Sequence, residues 1–139
     1  MTIKIVIGTK SGKSYQKELS KDEAESLYGK VLGEELNGEL LNFSGVKFSI
    51  SGGSDANGFP MRKDLPGTGK KKLLLTKSIG FKGKLRGKRF GGLRVKKTIA
   101  GNTVNEKTHQ VNLKVIKGEK EIDKIFAPKE EPKSEEKTE

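Results

Sequence analysis

Val46-Lys47-Phe48-Ser49-Ile50 places three apolar side chains at every second position, with a cation and a hydroxyl between them. A repeat of two is the signature of a strand that buries one face and wets the other. The pattern returns in Ile3-Lys4-Ile5-Val6-Ile7-Gly8, in Leu93–Ile99, and in Val111-Asn112-Leu113-Lys114-Val115. Four separate runs of this kind predict a mainly β fold. Ile3, Ile5, Val46, Phe48, Ile50, Val111, Leu113 and Val115 are expected to face one core.

Working outward, the turn signals over 9–13 predict a return strand over 14–18. Ser20-Lys21-Asp22-Glu23 is a capping box, in which Ser20 and Glu23 satisfy each other's backbone donors; it predicts a short helix over 21–28, stopped by Gly29. Further strands are expected over 39–43 and 72–77. Residues 51–69 are rich in Gly and Pro and read as a long loop, and 78–92 alternate Gly with basic residues. The expectation is a small β-barrel-like domain over residues 1–126, with one or two short helices and long Gly/Lys-rich loops. Residues 127–139 have no aromatic or branched apolar side chain and are expected to form a disordered acidic tail.

Composition removes several functions. The 139 residues contain no Cys, which excludes disulfides, thiolate metal sites and a cysteine nucleophile. No run of large apolar residues exceeds three, as in Leu73-Leu74-Leu75, far short of the roughly 20 residues a membrane-spanning helix needs. No signal-peptide pattern opens the chain. A cytoplasmic protein without a membrane partner is the expectation.

The charge is unevenly spread. The net charge is +11, yet residues 60–97 alone carry 14 Lys or Arg against the single acid Asp64. All four Arg of the chain, Arg62, Arg86, Arg89 and Arg94, fall in that segment. Guanidinium offers a planar fork to phosphate and a face for stacking, so geometry as well as charge is expected to matter there.

Motifs for chemistry fail on inspection. Gly53–Gly58 has the glycine spacing of a nucleotide P-loop, but Phe59-Pro60 stands where Lys-Ser/Thr is needed. Asp55-Ala56-Asn57-Gly58 begins like a calcium loop, but its Gly comes early and no Glu closes it. His109 is the only histidine and has no evident orienting partner; Asp55 and Asp64 read as turn residues or ion-pair partners within a basic segment. No catalytic residue, metal site, cofactor or small-molecule substrate is expected.

The basic segment reads instead as a nucleic-acid surface. Its candidate binding residues are Arg62, Lys63, Lys70, Lys71, Lys72, Lys77, Lys82, Lys84, Arg86, Lys88, Arg89, Arg94, Lys96 and Lys97, with Phe81 and Phe90 offering stacking faces. No recognition helix for a DNA major groove is visible, so RNA is the expected partner. A free RNA-binding or RNA-chaperone module would carry the same charge map as a protein bound permanently to one RNA.

Gly52-Gly53-Ser54-Asp55, Gly58-Phe59-Pro60-Met61, the basic strand Lys70–Thr76, and Lys97-Thr98-Ile99-Ala100-Gly101-Asn102-Thr103 followed by Val111-Asn112-Leu113 together resemble the small-subunit ribosomal protein S6e family in its archaeal form. The likeness runs from about residue 3 to residue 118, and its most specific part is the Gly-Gly-Ser-Asp…Gly-Phe-Pro-Met block. It implies a β-barrel-like body docked on small-subunit ribosomal RNA, with neighbouring ribosomal proteins as further partners and no catalytic activity. It also implies a ribosome-associated place in the cytoplasm and a role in subunit assembly and translation. Eukaryotic members carry a long basic C-terminal helix with phosphorylated serines; residues 127–139 are acidic, so no kinase-regulated role carries over.

Overall fold

A computed structural model describes residues 2–126. The domain is mainly β. Strands β1 (Lys4–Gly8), β2 (Ser14–Glu18), β3 (Glu35–Asn37), β4 (Lys47–Asp55) and β9 (Thr108–Lys117) form one sheet in the order β2-β1-β9-β4-β3. β1 runs parallel to β9, and the other pairings are antiparallel. A second ladder joins β5 (Lys70–Leu75) to β8 (Val95–Ala100), and a small hairpin joins β6 (Lys84–Leu85) to β7 (Lys88–Arg89). Helices α1 (Lys21–Glu25) and α2 (Glu119–Phe126) complete the described residues. The sheets do not close into a barrel: β2 and β3 remain as edges of the larger one.

All eight side chains expected in the core are buried, none more than 3% exposed. They pack with Leu27, Leu41 and Ile122 into one apolar cluster. A second, smaller cluster of Leu65, Leu75, Phe81 and Ile99, flanked by Leu73, Leu93 and Val95, lies under the β5–β8 ladder. The basic segment therefore has a core of its own.

Two sequence expectations change in register. The stretch 39–43 is not a strand; Gly38–Leu41 is a 3₁₀ turn, and β3 lies just before it. The reversal is fixed by Gly38 N–H donating to the Val46 carbonyl at 2.8 Å and by Asn42 at φ 63. Helix α1 ends at Glu25, and the chain turns on through 3₁₀-type hydrogen bonds to Gly29 at φ 81. Helix α2 fills the second helix position left open by the sequence. Ile122 enters the core, Phe126 stacks on Tyr15 at 4.9 Å, and Tyr15 Oη donates to Asp123 Oδ1 at 2.7 Å. The expected tail, 127–139, lies outside the described residues.

The larger change concerns residues 51–69. The strand that begins at Lys47 does not stop at Ile50 but runs on to Asp55, bulging near Gly52. A tight turn follows, in which Gly58 N–H donates to the Asp55 carbonyl at 2.8 Å and Asp55 N–H to Phe59 at 2.9 Å. The returning Pro60–Arg62 arm then pairs on both sides. Met61 N–H donates to Gly53 at 2.9 Å, Ala100 N–H to Pro60 at 3.0 Å, and Arg62 N–H to Ala100 at 3.3 Å. That arm stitches the two sheets together. It fits because Gly53 has no side chain: a Cβ there would lie 2.9 Å from Met61 Sδ and 2.6 Å from the Gln110 carbonyl oxygen.

The capping box forms as expected, and its Glu23 does more than cap. Burial pushes the Glu23 carboxyl up, but the Ser20 backbone N–H, the Lys17 ammonium at 3.0 Å and the Asn42 amide outweigh it and hold the group below its ordinary value of 4.5. A folded-state value below the unfolded one means this stabilisation is present above the unfolded pKa and is lost as pH falls through the folded one. Stability in urea melts is therefore expected to fall as pH drops below 4.5, and more steeply in the wild type than in Glu23→Gln.

Candidate nucleic-acid interface

Thirteen of the fourteen candidate cations are exposed, and only Arg62 is half-buried. The ladder sets which of them share a face. Lys71 and Lys97 alternate with Leu73, Leu75, Val95 and Ile99 on the side that carries the small core. Lys70, Lys72 and Lys96 lie on the opposite side with Leu74, which is 57% exposed. Beyond the ladder, Lys77, Lys82, Lys84 and Arg89 line one open groove beside Ser78 and Phe81. The structure thus gathers the cations into one lobe, on several faces of it.

Two of the fourteen are engaged within the fold. Arg62 donates to Asp64 Oδ2 from Nη2 at 2.7 Å and to Ser78 Oγ from Nη1 at 3.2 Å, tying the 62–64 turn to the turn at 78–81. Lys70 Nζ lies 2.5 Å from Asp55 Oδ2 and 5.2 Å from the centre of the Phe59 ring. Asp55 is 6% exposed, and its other oxygen accepts from Ala56 N–H at 2.6 Å. This pair joins β4 to β5, so Asp55 serves architecture. Breaking such a pair from one side strands a buried charge.

Every cation of the hairpin between β6 and β7 is exposed. Arg86 and Gly87 form its two-residue turn with φ 49 and φ 80, the geometry of a type I′ turn. Gly, Asn and Asp are favoured there, whereas Arg pays roughly 1–2 kcal/mol for the left-handed backbone. The cost is borne at the tip of a basic hairpin, where it holds a guanidinium out toward solvent. Backbone strain at such a point is a pointer to contact with a partner.

Of the two aromatic residues expected to stack, Phe81 is buried at 6% exposure in the small core, while Phe90 is 52% exposed. Phe81 is therefore a packing residue. Alternation could have separated them only if the Ser78–Phe81 turn had been visible in sequence; its two reciprocal hydrogen bonds of 3.0 Å turn Phe81 inward. Lys107 is a residue that charge counting passed over. It lies in a nearly neutral stretch of sequence but lines the same cleft as Lys70 and Asp55. His109 is exposed on β9 and makes no side-chain hydrogen bond among the described residues.

Residues 3–127 match the family described as ribosomal protein S6e. The chain belongs to that family. It is 40% identical over 136 residues to the small ribosomal subunit protein eS6 of Methanosphaera stadtmanae, covering 97% of this chain and 100% of the relative. The proteins of the same name from Methanothermobacter thermautotrophicus and Archaeoglobus fulgidus are 39% and 37% identical, each covering 94% of this chain and 100% of the relative. S6e membership therefore spans both the larger sheet and the basic lobe.

Two outcomes follow for the lobe. Asp55→Asn is expected to lower unfolding free energy by about 1–3 kcal/mol, because the Lys70 ammonium loses its charged partner. Adding Lys70→Met should recover part of that loss in a double-mutant cycle read by urea denaturation. Arg86→Asn should leave the melting temperature unchanged or raised, since Asn tolerates the left-handed turn, while weakening RNA binding. A fall in both would show that Arg86 is a packing residue.

Proposed function

We propose that this protein is a structural constituent of the small ribosomal subunit that binds small-subunit ribosomal RNA through its basic lobe. In this reading it is a cytoplasmic, ribosome-associated, non-enzymatic protein of the translation apparatus. Family membership supports the ribosomal role. The observation that carries the RNA contact is the segment itself: 14 cations against one acid over residues 60–97, thirteen of them exposed around a small core.

The mechanism is electrostatic and mechanical. Lysine and arginine displace condensed counterions from RNA phosphates, a gain that grows as salt falls. The Asp55–Lys70 pair and the Pro60–Arg62 arm hold the lobe against the larger sheet, so docking the lobe also places the nearly neutral body. Neighbouring ribosomal proteins are natural partners for that body.

Tagged protein should co-sediment with small subunits at one copy per particle; a free chaperone would spread across the gradient. A variant with Lys82, Lys84, Arg86, Lys88 and Arg89 all changed to Gln should bind ribosomal RNA fragments more weakly and flatten log K against log salt by up to roughly 4 units. Reversal of Glu25 and Glu39, exposed and outside the basic segment, is the control. An unchanged salt slope in the folded five-residue variant would defeat the lobe as the RNA site.

A further inference from the structure

The β5–β8 ladder ends at the Leu75–Val95 pair, and beyond it the two chains part. Between them opens a groove of about 380 Å³, within the range of small-ligand sites. Lys77, Lys82 and Arg89 line it together with Phe90, Gly91 and Gly92. Phe90 is half exposed although it is large and apolar, and it borders three cations with no acid among the groove residues. At Gly91 and Gly92 an added Cβ would meet nothing within 4 Å, so neither side chain nor neighbour fills the opening there.

Taken singly, each feature has an ordinary explanation, but their combination is chemically specific. An unfilled groove with cations suits phosphate. An aromatic face suits a base lifted out of its stack, and the side-chain-free Gly91-Gly92 backbone can come close to a ribose or phosphate. A-form duplex RNA shields its base faces within the stack and cannot offer one to Phe90.

We infer that this groove holds one unpaired nucleotide of RNA, its base stacked on Phe90 and its flanking phosphates held by Lys77, Lys82 and Arg89. The inference rests on the RNA-binding reading above and deepens it: the lobe selects a bulged or single-stranded nucleotide, in addition to attracting phosphate. Phe90 is the specificity determinant, and the surrounding cations supply affinity. The exposed Arg86 tip is separate, since it borders neither this groove nor the adjoining one.

The test uses the full chain, a six-nucleotide single-stranded RNA carrying one 4-thiouridine, and a duplex of the same sequence. Phe90→Ala is expected to weaken single-strand binding by about 10-fold, to change duplex binding little, and to leave the salt slope unaltered, because stacking is not ionic. Phe90→Tyr should restore the affinity. Irradiation should link the thio-base to the 88–92 peptide in the wild type. Phe90 is exposed, so these variants should fold, and circular dichroism checks it.

Equal loss on duplex and single strand, or no loss on either, would overturn the inference. So would displacement of the single strand by an oligoglutamate peptide that needs Phe90, since the groove would then be a protein site. If the five-charge variant loses RNA while Phe90→Ala does not, the groove inference falls and the RNA-binding reading stands. If the wild type binds neither RNA, both fall.

Discussion

The backbone crossing at Gly53, Met61 and Ala100 is the constraint on which the arrangement depends. Two ladders of different size have to be joined without a continuous shared strand. The Pro60–Arg62 arm does this by pairing with β4 on one side and β8 on the other. A side chain at position 53 would displace Met61, which itself sits at 4% exposure in the larger core. Position 101 has the same character: the backbone of Gly67 occupies the space where its Cβ would lie. Backbone therefore packs on backbone at both ends of the 60–67 connection, and the glycines there act as packing residues.

This join also explains how so basic a lobe stays folded. In the two-stranded ladder each lysine faces an uncharged residue, but Lys71 lies diagonal to Lys97 and Lys72 to Lys96, so like charges still crowd each face. Against that stand a small apolar cluster, the Asp55–Lys70 pair and the Arg62 bridge to Asp64 and Ser78. The two engaged cations lie beside the join, whereas Lys82 to Arg89 lie far from it in sequence and mostly unpaired among the described residues. Charge near the join is used internally, and charge at the hairpin makes no ion pair among the described residues. Neutralising that outer charge should relieve the lobe's own repulsion.

Most of the large sheet was legible in sequence because its strands have one wet and one dry face. Ile3, Ile5, Phe48, Ile50, Val111 and Leu113 obey a strict period of two, and all are buried. The failures have a common cause. Residues 51–55 lack apolar side chains, so a strand held by backbone bonds and the room that Gly53 provides looked like a loop. Residues 39–43 contain apolar side chains, yet the glycine at 38 and the left-handed Asn42 bend them into a turn. Side-chain periodicity reports burial well and backbone-to-backbone packing poorly.

For the site, sequence showed where charge accumulates but not how it divides. Counting could not tell Lys70, held by a buried Asp55 distant in sequence, from Lys72, two residues away and free of any ion pair among the described residues. Nor could it tell Phe81 from Phe90, both flanked by Gly and basic residues. The difference arises because the 78–81 turn delivers Phe81 to the small core beside Leu65, Leu75 and Ile99. Phe90, next to the Gly91-Gly92 pair, is not part of that cluster and stays 52% exposed. An exposed aromatic ring is costly in water, at about 25 cal/mol for each Å² of apolar surface left wet. Its retention amid cations is intelligible if a flat, negatively flanked partner covers it, and an unstacked nucleotide has that shape and charge.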